Sequence, residues 1–136
     1  MLNANVEIKK WFFNNIDSLG MQVAVFDGFA PDYAPNEYII MTGRTSSQEQ
    51  GKSGYTNNCT IVLDIVTKSA NFGYKRSEEI SNLILTNINS DTIIDLGTGW
   101  NASSLSVESI RNLDGLSPLD NVFRTIITYN IIITQI

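Results

Sequence analysis

The order of apolar patterns along the chain predicts an α+β fold: a mainly antiparallel sheet with two helices packed on one face, in the order α-β-β-β-α-β-β-β. Three observations carry that expectation. Residues 3–19 and 75–89 place apolar side chains at helical spacing. Residues 58–68 alternate strictly, with Cys59, Ile61, Leu63 and Ile65 on one side and Thr60, Val62, Asp64 and Val66 on the other. Residues 121–136 alternate again over a comparable length. With 136 residues the chain makes a single domain over 1–136, because two would each be too small to bury a sound core.

In the first helix Ile8, Phe12, Ile16 and Leu19 form the stripe and Trp11 widens it. Asn3 or Asn5 can cap its start, and Gly20 supplies the stop. A short strand over 21–26 follows, with Val23 and Val25 on one face. Pro31 and Pro35 make residues 28–36 a rigid loop. Residues 38–44 read as a strand centred on Ile39, Ile40 and Met41. Residues 45–55 are polar, hold Gly51 and Gly54 and show no buried periodicity, which predicts a long exposed loop. The strand over 58–68 comes next.

In the second helix Ile80, Leu83, Ile84 and Ile88 form the stripe, leaving Arg76, Glu78, Glu79 and Asn82 exposed. Residues 92–96 read as a short strand, Gly97-Thr98-Gly99 as a turn, 105–111 as a weakly alternating strand and 112–118 as a turn segment. The last strand puts Phe123, Ile127, Tyr129, Ile131 and Ile133 on one face and Ile126, Thr128, Asn130, Ile132 and Thr134 on the other.

Composition argues against chemistry. The chain has no histidine and one cysteine, Cys59, inside an apolar run. Serine and cysteine nucleophiles ordinarily rely on a histidine base, and structural zinc draws on Cys and His. Gly97-Thr98-Gly99 lacks the third glycine of a dinucleotide fingerprint and the lysine of a phosphate loop. Glu78 and Glu79 are adjacent on a helix and point apart. No catalytic, cofactor or metal residue is assigned, and no cofactor is expected. The net charge of −5 and the scattered basic residues, adjacent only at Lys9-Lys10 and Lys75-Arg76, oppose duplex binding. Apolar runs such as Ile131-Ile132-Ile133 fall far short of the ~20 residues a spanning helix needs, so no membrane partner is expected.

Only 17% of residues are charged, so part of the apolar surface is expected between subunits. Trp11, Phe12 and Phe13 are consecutive on one helix and cannot all face one core. Trp11 and Phe13 are therefore candidate subunit contacts. Ile126 and Ile132, on the second face of the last strand, are two more.

Several local runs carry a resemblance: Pro35-Asn36-Glu37-Tyr38-Ile39-Ile40-Met41-Thr42-Gly43, the polar stretch 45–56, Cys59-Thr60-Ile61-Val62-Leu63-Asp64-Ile65-Val66, the helix over 75–89 and the closing strand. Their order resembles the phage tail terminator, or tail completion, proteins of long-tailed phages. The chain departs from that pattern at Val66-Thr67-Lys68, where an aromatic is common, and over 97–118.

The resemblance implies a virion structural protein that is not an enzyme. It implies a homo-oligomeric ring, commonly a hexamer, in the tail neck. That ring caps the tail tube protein, ends tail polymerisation and offers a docking surface to the head–tail connector or stopper protein. DNA would pass through its lumen without specific binding, and assembly would take place in the host cytoplasm. Arg44, Gln48, Glu49, Gln50, Lys52 and Tyr55 are then expected to face the lumen or the tube. Another neck or head-completion protein of the same virion, an accessory domain of a tail-like secretion machine, and a small-molecule-binding or enzymatic α+β domain are the competing readings.

Overall fold

The structure, a computed structural model, describes residues 4–51, 54–68, 74–113 and 122–135. Its elements in chain order are α1 (Ala4–Asp17), β1 (Ala24–Asp27), β2 (Glu37–Gly51), β3 (Gly54–Lys68), α2 (Lys75–Asn87), β4 (Trp100–Leu113) and β5 (Val122–Gln135). The five strands form one sheet in the order β1-β2-β3-β5-β4, and of these pairings only β1–β2 is parallel. The α+β class, the mainly antiparallel sheet and the pair of helices on one face match the expectation.

Alternation along β3 and β5 decides which face the helices cover. Cys59, Ile61, Leu63 and Ile65 of β3 stand in register with Ile131, Tyr129, Ile127 and Thr125 of β5. Ile39 and Met41 of β2 join the same layer. Ile8, Phe12 and Ile16 of α1, four residues apart, are wholly or almost wholly buried against it. Each such side chain contributes roughly 1.5–3 kcal/mol through apolar area removed from water. The approach of α1 is close at Gly43 of β2. A Cβ there would stand 2.8 Å from Ile61 Cδ1 and 3.2 Å from Lys9 Cε, so any side chain would displace the buried Ile61 methyl. The helix ends where Gly20 turns to φ +69°, a left-handed conformation natural to glycine.

α2 packs on β3 and β5 through Ser77, Ile80, Ser81 and Ile84, all buried. Ser77 and Ser81 occupy stripe positions that hydrophobicity alone gives to larger side chains. Their small size lets the helix lie near β5, where Thr125 Oγ1 is 2.8 Å from Ser77 Oγ. Leu83, expected in the stripe, is instead exposed on the helix flank.

Two segments differ from their sequence-based assignments. Residues 92–96, read as a strand, pair with no strand among the described residues. Ile94 and Leu96 pack against the core directly, so their alternation serves packing and not a ladder. Residues 45–55, read as a loop, are largely strand. β2 runs on to Gly51 and β3 begins at Gly54, and the two pair along their full length with one irregularity between Thr45 and Ser47. A hairpin ladder is satisfied by backbone pairing and needs no apolar alternation, which is why hydrophobic pattern did not reveal it. Lys52 and Ser53 lie outside the described residues.

Tyr129 fastens β5 to the end of α2. Its buried hydroxyl donates to the Ile88 carbonyl at 2.9 Å, one of the carbonyls a helix end leaves without an intrahelical partner. Burial pushes the phenol pKa well above its ordinary value near 10. The folded state therefore keeps this proton where the unfolded chain loses it. The resulting stability is fully present below pH ~10 and is lost as pH rises toward the folded value. Tyr129→Phe is expected to cost about 1 kcal/mol at neutral pH and to flatten the alkaline limb of stability, measured by urea unfolding between neutral and alkaline pH.

Candidate assembly surfaces

The helices leave three surfaces for contact: two unlike lateral margins and the sheet face opposite the helices. On the first margin, Asn5, Val6, Lys9, Lys10, Phe13 and Met41 line a groove of about 440 Å³ between α1 and the β1–β2 edge. Val6 is 50% and Phe13 45% exposed, one above the other at a spacing of seven residues. A salt bridge from Lys9 Nζ to Asp27 Oδ1 at 2.9 Å ties α1 to β1 beside the groove. Trp11 does not share this surface. It is half-buried and meets the wholly buried Phe12 edge-on, with ring centroids 5.1 Å apart. The three consecutive aromatics thus divide into core, core margin and surface.

The opposite margin is built by α2 and β4. Leu85, Ile110, Arg111 and Asn112 line a smaller groove of about 240 Å³ with Glu78 and Ser81. Asn112 Nδ2 donates to Glu78 Oε1 at 2.8 Å across it. Ile110 leaves large apolar area open to solvent on this side. A further cleft of about 400 Å³ at the lower end, where β2 begins and β3 ends, is lined by Glu37, Lys68, Lys75, Arg76 and Glu79. Arg76 holds both of its carboxylates: Arg76 Nε donates to both Glu37 oxygens at 3.0 Å, and Glu79 lies 3.6 Å from Arg76 Nη1. Its open position at a margin, with both carboxylates already held by Arg76, does not resemble a substrate pocket.

The outer sheet face carries Tyr38, Ile40, Val62, Asp64, Val66, Arg124, Ile126 and Ile132 by register. Ile126 and Ile132 differ there. Ile132 is 39% exposed, whereas Ile126 is 7% exposed within the single chain. Ile126 stands between Asp64 of β3 and Arg111 of β4. Arg124 reaches diagonally to Asp64, with Nε donating to Oδ1 at 3.1 Å and to Oδ2 at 3.2 Å and Nη2 also donating to Oδ2. The Asp64 hydrogen bond raises the Arg124 pKa, so the guanidinium stays charged. Above this pair runs a polar ladder: Thr60 Oγ1 donates to Asn130 Oδ1 at 3.1 Å and Asn130 Nδ2 donates to Glu108 Oε2 at 3.1 Å.

The structure therefore places Phe13 and Ile132 on opposite sides of the sheet, in separate surfaces. Arg44, Gln48, Glu49, Gln50 and Tyr55 lie on the β2–β3 hairpin, whose side chains from 44 to 55 are outside the described set, and Lys52 lies outside the described residues altogether. Sequence reading missed Val6, Ile110 and the Asp64–Arg124 pair. The last had a signal, a lone carboxylate inside the most apolar strand.

Asp64 and Arg124 are expected to stand or fall together. Arg124→Ala leaves a mostly buried carboxylate alone and is expected to lower stability by about 1–3 kcal/mol. The double change Asp64→Leu with Arg124→Ala is expected to recover part of that loss, measured by urea unfolding of the unaltered chain, the two single variants and the double variant.

No family model matches the sequence, and no curated protein does. Among solved structures, a chain from the virion of a native gene transfer agent particle superimposes with a TM-score of 0.70, covering 92% of this chain and 92% of that one at 13% identity. At that identity the likeness is one of fold, extending over nearly the whole of both chains.

Proposed function

We propose that the chain is a virion structural protein of a tail neck: a tail terminator whose copies close into a ring, commonly of six, on the end of the tail tube. The observation that carries this reading is the fold likeness to a virion chain across 92% of both lengths. It agrees with the resemblance carried by the strand and helix runs of the sequence. The two lateral margins support it physically. They differ in residues and shape, and a ring needs heterologous contacts in which one patch meets a different patch on the next copy.

In this reading Val6 and Phe13 on the α1 margin seat against the α2–β4 margin of the neighbour. The ring ends polymerisation of the tube protein and presents its far side to the head–tail connector or stopper. The net charge of −5 keeps DNA passing through the lumen from adhering. The fold likeness applies equally to another neck protein of the same virion, and co-assembly with tail tube separates the two.

The β2–β3 hairpin beyond Arg44 is the part proposed to engage the tube or lumen. Deleting residues 48–53 shortens it without touching the helices or the central layer. The expected outcome is a chain with unchanged circular dichroism that fails to cap tubes, so that tails grow past their normal length in electron micrographs. Tails of normal length from this variant would contradict the assignment of the hairpin.

A further inference from the structure

β1 covers only the lower part of β2. It pairs with Tyr38–Met41, and the chain leaves the sheet at Gly28, whose N–H donates to the Met41 carbonyl. From residue 43 to 51 the outer edge of β2 pairs with no strand among the described residues. At the opposite side of the sheet, β4 pairs with β5, and along its 14 residues its own outer edge pairs with no strand among the described residues. Such edges are ready templates for strand addition.

The two edges fit each other in three respects. The first is polarity. β2 and β5 run one way and β3 and β4 the other, so translating the sheet sideways brings β4 against a neighbouring β2 antiparallel. The second is height. Reading the register across the sheet, Gly43, Arg44, Thr45, Ser47 and Gln48 of β2 share rows with Val107, Ser106, Leu105, Ser104 and Ala102 of β4. The free part of one edge is therefore level with the upper part of the other. The third is charge. Residues 100–107 of β4 contain no charged residue and no proline, whereas Glu108 and Arg111 lie lower. Charges and prolines are the usual means of blocking an edge. The two bulges in β4, between Ala102 and Ser104 and between Val107 and Ser109, add twist of the kind found at barrel rims.

We propose that the upper half of β4 pairs antiparallel with the free edge of β2 of a second copy, so that one sheet continues from subunit to subunit around the ring. This rests on the ring reading and specifies its backbone contact. Polar Ser, Thr and Gln in the β2 hairpin then serve as strand residues in an inter-subunit ladder, where backbone hydrogen bonds supply the affinity.

Disulfide trapping tests it, since Cys59, the single native cysteine, is buried. Ser47→Cys and Ser104→Cys chains, purified separately and mixed with tail tubes, are oxidised and run on non-reducing gels. The same is done with Arg44→Cys and Ser106→Cys. The expected result is a linked dimer in at least one mixture and none from any single variant alone. A ring seen by native mass measurement without linkage in either mixture overturns the edge pairing and leaves the ring intact. Linkage from single variants alone overturns it too, because it means that like edges meet. Chains that stay monomeric even on tubes overturn both readings together. Ser106→Lys provides the complementary test: the expected outcome is loss of the ring with an unchanged melting curve, and full ring formation contradicts the pairing.

Discussion

The inner face of β3 is the surface on which the rest of the molecule depends. β3 is the central strand, and its Cys59, Ile61, Leu63 and Ile65 are wholly buried under side chains from two helices. Because side chains alternate strictly along a strand, a slip of one residue would turn all four to the opposite face. That single register fixes β2 on one side and β5 on the other. It also fixes where the helices sit, since α1 lies over β2 and β3 and α2 lies over β3 and β5. Phe12 of α1 reaches Tyr129 of β5 with ring centroids 5.2 Å apart, and Tyr129 in turn holds the end of α2. One apolar layer thus connects every element, with Val25 of β1 packed at its margin.

A domain built this way puts its stability on one side of the sheet and keeps the other surfaces for contact. The outer face is held by hydrogen bonds and one ion pair, with Ile126 shielded beside them and Ile132 left open. The lateral margins are half apolar and unlike each other. Exposed apolar side chains are normal one at a time. Here Val6 and Phe13 share one groove, and Leu85 and Ile110 line the other.

Much of this was legible in the sequence. Period-2 alternation in 58–68 and in the closing strand identified the two longest-range partners in the sheet, and helical spacing found both helices to within about two residues at each end. What was not legible has physical causes. The hairpin beyond Arg44 forms by backbone pairing between neighbouring segments, so it leaves no apolar trace. Residues 92–96 alternate like a strand but use Ile94 and Leu96 for packing. Ser77 and Ser81 hold the buried stripe of α2 because closeness to β5 matters more there than side-chain area, which displaces Leu83 to the surface. The different burial of Ile126 and Ile132 depends on which neighbours the register delivers, and no local pattern contains that. For the assembly surfaces, the consecutive aromatics Trp11 to Phe13 announced that one of them had to leave the core. Only the folded chain shows that Phe13 does, and that Val6 joins it.

The central claim is that unlike margins of identical chains meet and that the contact closes. Native mass measurement of the purified protein, alone and bound to tail tubes, tests it most directly. The account predicts one discrete closed species, six-fold by family resemblance, with no intermediate sizes building up as concentration rises. An open-ended ladder of sizes, or a monomer that persists on the tube, would contradict it.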